Sequence, residues 1–206
     1  MIKEIDVLFF DIGSTLVDER KSDECRIAEI AKASALDYEQ CFYKIKSFFA
    51  MNKNGYHEAV KELNIKMPVW HSEYERLYSG AEECLKVLSE KYKIGIIANQ
   101  PEGTKARLEK FSILKYIDVV ASSFEEGTAK PELKLFEIAM KKAETTPARS
   151  VMIGDRLDND IFPAKSLGMK TIWIKQGFGS LASIRSDSEK PDYIAYNLQE
   201  VTEILM

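Results

Sequence analysis

Two apolar runs in this chain stop at an aspartate, and a third stops at an asparagine. Val7-Leu8-Phe9-Phe10 ends at Asp11, with Gly13, Ser14 and Thr15 just after it. Val151-Met152-Ile153-Gly154 ends at Asp155, with Asp158 and Asp160 beyond, and Ile94-Gly95-Ile96-Ile97-Ala98 ends at Asn99. A carboxylate at the tip of a buried strand is costly unless it is paired, bound to a metal or used in a reaction. Several such carboxylates at one point repel each other, and a hard cation is the usual remedy. Mg2+ typically takes one or two carboxylates, some waters and a substrate phosphate oxygen. An aspartate beside such a cation can attack phosphorus and form an aspartyl-phosphate. Lys130, just before Pro131, is placed to neutralise the gathered charge. The backbone amides of Gly13, Ser14 and Thr15, in a tight turn, can cradle a phosphate.

For these groups to meet, the apolar runs must be strands of one sheet. Short runs bounded by turn residues read as buried strands of a parallel sheet, and open α/β sheets place their ligands at the carboxyl edge. From Gly80 onward the pattern alternates. Helical stripes (Ala81, Cys84, Leu85, Leu88, then Leu135, Phe136, Ala139, Met140, Ala143) interleave with strands at 94–99, 117–121, 150–155 and 170–174. Pro131 reads as a first helical residue, residues 159–167 as one helix, and 104–112 as a helix with a weak stripe. A strand near 193–196 leads into a last helix capped by Asn197 with Glu200 as its partner. Strands alternating with helices predict a Rossmann-like parallel sheet with right-handed crossovers and helices on both faces.

Residues 17–79 break this rhythm. The charged stretch 17–24 reads as an exposed connector. Stripes through Cys25, Ala28 and Ala31, through Cys41, Phe42, Ile45, Phe48 and Phe49, through Tyr56, Ala59, Val60 and Leu63, and through Trp70, Tyr74, Leu77 and Tyr78 predict about four helices. The expected organisation is a core of residues 1–16 and 80–206 with a helical lid at 17–79.

Composition narrows the partners. A formal charge of -4 over 206 residues argues against nucleic acid or an anionic membrane as the main partner. No apolar run reaches membrane-spanning length. Cys25, Cys41 and Cys84 read as reduced thiols of a cytoplasmic protein. His57 and His71, the two histidines, both lie in the insert, which argues against a Ser-His-Asp hydrolase.

The order Asp11-Ile12-Gly13-Ser14-Thr15-Leu16, Ile97-Ala98-Asn99, Lys130-Pro131 and Gly154-Asp155 through Asp160 resembles the haloacid dehalogenase (HAD) superfamily. The likeness is to its phosphatase-like members with a helical cap after the first strand. This resemblance implies a Mg2+-dependent hydrolase of a small phosphorylated metabolite, monomeric or homodimeric. It implies Asp11 as nucleophile and metal ligand, the backbone carbonyl of Gly13 and the side chain of Asp155 as further ligands, and Asp160 behind them. It also implies Lys130 as stabiliser of the phosphoryl group and Asn99 facing the phosphate; Ser14 and Thr15 of the turn, with Gln100, are the further substrate contacts expected.

Two positions depart from that pattern. Many family phosphatases carry an aspartate two residues after the nucleophile, as acid to the leaving oxygen and base to the attacking water; here Gly13 stands there. A positioned acid–base group is worth roughly 10²- to 10⁴-fold in rate. The usual phosphate-binding hydroxyl of the second motif is Ala98. Ser14, Thr15, Gln100 and the substrate itself are the candidates to compensate. A binding or regulatory protein with weakened catalysis stays open at this point. So does carbon–halogen or carbon–phosphorus cleavage, the latter through a lysine such as Lys44, Lys46 or Lys53.

Overall fold

The computed structural model describes residues 4–206. Val7–Phe10 forms β1 and Val17–Asp18 a short β2, after which come α1 (Arg20–Ala33), α2 (Tyr38–Ala50) and α3 (Gly55–Glu62). The chain returns through β3 (Arg76–Leu77) and then alternates: α4 (Ala81–Ser89), β4 (Lys93–Ala98), α5 (Thr104–Lys110), β5 (Val119–Ser122), α6 (Ser123–Glu126), α7 (Leu133–Ala143) and β6 (Ser150–Gly154). It closes with α8 (Phe162–Ser166), β7 (Lys170–Ile174), β8 (Tyr193–Ala195) and α9 (Leu198–Leu205). Among the described residues no helix is long and apolar enough to cross a membrane.

The main sheet has six parallel strands in the order β5-β4-β1-β6-β7-β8. Pleating sends alternate side chains of β1 to opposite faces. Leu8 and Phe10 enter one core with Leu85, Leu88, Leu108 and Val201, whereas Val7 and Phe9 enter another with Leu135, Phe136, Ala139 and Met152. All four β1 side chains are buried, which is why its sequence reads as an unbroken apolar run. Each such side chain contributes about 1.5–3 kcal/mol by leaving water. Asn197 accepts from the Glu200 amide at 2.9 Å, capping α9 as its sequence predicts.

β2 and β3 pair antiparallel, Val17 opposite Leu77, and so bring the two ends of the inserted segment together. Its helices α1–α3 share a separate core of Ile27, Ile30, Cys41, Ile45, Phe49, Tyr56, Ala59 and Val60. Phe178, on the turn after β7, joins that core from the sheet side. Its ring stacks on Phe49 at 5.1 Å between centroids and meets Tyr56 edge-on at 6.1 Å. Replacing it by alanine, Phe178→Ala, is expected to cost about 2–3 kcal/mol, at or below the bottom of the range for a fully buried phenylalanine because the ring is only partly buried. Urea denaturation at constant slope would measure this.

Several sequence expectations are corrected. The insert holds three α-helices, not four: Trp70 to Tyr78 forms a short 3-10 turn at Ser72–Tyr74 and then β3. There the Trp70 indole donates to Glu75 at 2.6 Å and the Tyr78 amide donates to the Leu16 carbonyl at 3.0 Å, so the segment is held by separate hydrogen bonds rather than by a helical stripe. Residues 17–24 are not an exposed connector. Ser22 and Asp23 are buried, the first donating to the His71 carbonyl at 2.7 Å and the second accepting from the Tyr56 hydroxyl at 2.6 Å. α7 starts at Leu133 rather than at Pro131, because Asn99 ties down both backbone groups of Lys130. Residues 159–167 divide into a wide π turn, Leu157–Ile161, and the short α8.

Candidate active site

Sheet register brings the polar strand tips together. Phe10 lies opposite Ile96 on one side and Ile153 on the other, so Asp11 emerges between Asn99 and Asp155. Its amide donates to the Ile153 carbonyl at 2.9 Å. Lys130 reaches in from the segment before α7. Its Nζ lies 2.6 Å from Asp11 Oδ1 and 2.6 Å from Asp160 Oδ1. Asn99 fixes the lysine's backbone, donating to its carbonyl at 2.8 Å and accepting from its amide at 2.7 Å. The π turn carries Asp160 back over β6, where its other oxygen accepts from the Arg156 amide at 3.0 Å. Its carboxylate rests so closely on Gly154 that any side chain there would collide with it.

Three carboxylates against one ammonium leave this buried cluster short of positive charge. Burial opposes the charge on Lys130, but Asp11 and Asp160 outweigh it and hold the ammonium above its ordinary range. Burial, then Asp160 and Asp11, drive the Asp155 carboxyl well above the usual carboxylate range. No protein group among the described residues donates to that carboxylate, although the Trp173 indole donates to the Asp155 backbone carbonyl at 2.6 Å. Asp11, Asp155 and Asp160 each offer an oxygen within 4.8 Å of the others. An all-oxygen, acidic, desolvated donor set fits a hard divalent cation.

The cluster opens into a cavity of about 730 Å³. Gly13, Ser14 and Glu19 form one wall, while Arg26, Arg107 and Lys110 bring positive charge. Arg26 lies over the Trp70 ring at 4.3 Å, and its Nε has no acceptor among the described residues. Arg107 is anchored by buried Glu75, with Nε 2.9 Å from Oε2, and reaches Gln100 Oε1 at 2.5 Å and Glu19 Oε1 at 3.3 Å. Burial pushes the Glu19 carboxyl up to about 8, with Arg107 pulling the other way.

A family model described as haloacid dehalogenase-like hydrolase matches residues 5–174, a span holding every strand tip just described. The chain belongs to that family. It is 28% identical to the glyceraldehyde 3-phosphate phosphatase of Pyrococcus furiosus, over 99% of this chain and 94% of the relative. To the enzyme of the same name from Pyrococcus abyssi it is 30% identical, over 84% and 82%. The HAD-hydrolase YfnB of Bacillus subtilis, solved bound to magnesium, shares the fold with a TM-score of 0.71 at 17% identity, covering 98% of this chain and 99% of that one.

As a HAD hydrolase the chain is an enzyme, and its structure places the residues singled out from sequence unevenly. Asp11, Lys130, Asp155 and Asp160 come together. Gly13, Ser14, Asn99 and Gln100 line the cavity. The Asn99 side chain is spent on Lys130 and the Gln100 side chain on Arg107. Thr15 does not line the cavity: it is fully buried and its hydroxyl has no partner among the described residues. Asp158, which follows Asp155 in sequence, stays outside the acidic cluster and is paired with Arg156. Sequence reading missed Glu19, Arg26, Arg107 and Phe178. The weak stripe of α5 was the available signal for Arg107, since that helix turns a charged residue inward.

Proposed function

We propose that this HAD hydrolase is a Mg2+-dependent phosphatase of a small phosphorylated metabolite, with Asp11 as the nucleophile. The observation that carries this reading is Lys130, buried and 2.6 Å from both Asp11 and Asp160, beside the undonated carboxylate of Asp155. Asp11 and Asp155 would hold the cation, with Asp160 behind them. When bound, it supplies positive charge to the phosphoryl oxygens and offsets the acidic cluster. Asp11 attacks phosphorus to give an aspartyl-phosphate, which water then hydrolyses. Lys130 keeps the Asp11 carboxylate oriented and faces the transferring oxygens. Ser14, Gln100 and the backbone of Asn99 border the place where the phosphoryl group docks.

The inserted helices, residues 17–79, serve in this reading as a cap on a core of 1–16 and 80–206. A cap excludes bulk water and sets specificity. A cavity lined by Arg26, Arg107 and Lys110 as well as by the aspartates suits a short, oxygen-rich substrate. The glyceraldehyde 3-phosphate phosphatases among the relatives make a three-carbon sugar phosphate the first substrate to try. Free cysteines, two of them buried, accord with a cytoplasmic setting.

The test is phosphate release from glyceraldehyde 3-phosphate and a panel of small phosphate esters, with Mg2+ and with excess chelator, alongside calorimetric titration of Mg2+ and vanadate. Turnover that needs Mg2+ is expected. A folded protein that hydrolyses none of these esters and binds neither probe would overturn the reading.

A further inference from the structure

We propose that Glu19, the residue that opens α1, is the acid–base group of this active site. Its carboxylate stands in the space that a side chain on residue 13 would fill. The inference rests on the phosphoester chemistry proposed above. A Cβ built on Gly13 would lie 2.6 and 2.7 Å from the two Glu19 carboxylate oxygens and 2.9 Å from Cδ. The carboxylate is therefore packed on the bare α-carbon two residues beyond Asp11. Its side chain keeps 18% of its exposure, and it lines the same cavity as Asp11. The absence of a side chain at Gly13 is what admits it.

The other groups facing the cavity are committed elsewhere. Asp155 and Asp160 belong to the cluster around Lys130. Glu75 is held by the Trp70 indole at 2.6 Å and by Arg107. Asp23 accepts from the Tyr56 hydroxyl at 2.6 Å. Glu102 is exposed at the mouth, on the turn after β4. Neither histidine lines the cavity; His71 is paired with Glu29 and Glu73, 2.9 Å from each. Arg107, rigidly anchored on Glu75, touches Glu19 by one longer contact of 3.3 Å. That contact orients the carboxylate and leaves its second oxygen, Oε2, free of any hydrogen bond among the described residues.

An Asp11 oxygen forms a bond to phosphorus, and the bond from phosphorus to the ester oxygen breaks with its electron pair on that oxygen. The oxygen takes the proton of the Glu19 carboxyl and leaves as an alcohol. Glu19, now a carboxylate, takes a proton from water as the water oxygen attacks phosphorus. The bond from phosphorus to Asp11 breaks, its electron pair returns to Asp11, and inorganic phosphate departs. Glu19 ends protonated, as it began.

The test moves the carboxylate. Glu19→Gln is expected to lower kcat/KM for glycerol phosphate by roughly 10²- to 10⁴-fold. With p-nitrophenyl phosphate the first half-reaction should fall far less, because nitrophenolate leaves without a proton. The phosphoryl enzyme should then accumulate, visible as one added phosphoryl mass on Asp11. Gly13→Asp alone should also lose activity, since its side chain collides with Glu19. Gly13→Asp combined with Glu19→Ala should recover at least tenfold over Glu19→Ala. The inference is overturned if an active wild type keeps its rate within threefold in Glu19→Gln on both substrates, or if the double variant gains nothing. The double variant decides the matter should the single one fold poorly. A wild type inactive on every ester overturns both this inference and the reading beneath it.

Discussion

Asp11→Asn is expected to lower phosphate release by roughly 10⁴-fold or more, as removal of a covalent nucleophile does elsewhere, while leaving the fold intact. Asparagine has the same shape, and its amide nitrogen is a poor nucleophile. The buried cluster holds three carboxylates within 4.8 Å of one another and one ammonium. Removing one negative charge relieves repulsion on Asp155, whose carboxyl that repulsion helps to raise. Lys130 keeps Asp160 as its partner at 2.6 Å. The variant should therefore melt at or above the wild-type temperature when no metal is present. Function and stability pull apart at such sites. Phosphate release and thermal melting, measured on one preparation, check both halves. Residual turnover above a hundredth of wild type would remove Asp11 from the nucleophile's role.

Those strand tips were legible because two simple signals coincide there. A continuous apolar run marks a strand covered on both faces, and its first polar residue marks the ligand edge. The same holds for α2, α3 and α7, whose stripes match the side chains they bury. Where burial is polar, hydropathy is blind. Ser22 and Asp23 lie inside because the His71 carbonyl and the Tyr56 hydroxyl satisfy them, and nothing in the charged stretch 17–24 announces it. The Trp70 to Tyr78 spacing imitates a helix, yet Trp70 bonds Glu75, Tyr74 is exposed and Tyr78 packs on the main core. Glu19 was hidden for another reason. Its relation to Gly13 is set by how the chain turns from β1 through β2 into α1. The missing side chain at Gly13 was visible as a gap, but only the fold brings a carboxylate to it. Phe178, likewise, lies in a loop, and loops acquire contacts through the elements that present them.

Lys130→Met is expected to be the most destabilising single change at the site. The methionine chain follows much of the lysine's path but supplies no charge. Asp11 and Asp160, each 2.6 Å from the ammonium, would then face each other and Asp155 across a dry interior. Breaking a buried ion pair by removing one partner costs about 3–5 kcal/mol, because the remaining charge is left uncompensated. For a chain of this size that is a drop of roughly 10 °C in melting temperature. Lys130→Arg would not rescue it, since a planar fork cannot reproduce a point donor shared between two carboxylates on opposite sides. Two further measurements separate lost charge balance from lost packing. Adding Asp160→Asn to Lys130→Met should return much of the stability, because it removes one of the charges left unpaired; a double-mutant cycle reads this coupling directly. If the cluster holds Mg2+ as proposed, millimolar Mg2+ should raise the melting temperature of Lys130→Met more than that of wild type, since a cation held only by the folded cluster would meet no competing ammonium there. A cavity left by a shorter side chain would respond to neither. Equal stability losses in the single and double variants, with no response to Mg2+, would mean that Lys130 acts through packing rather than through its charge.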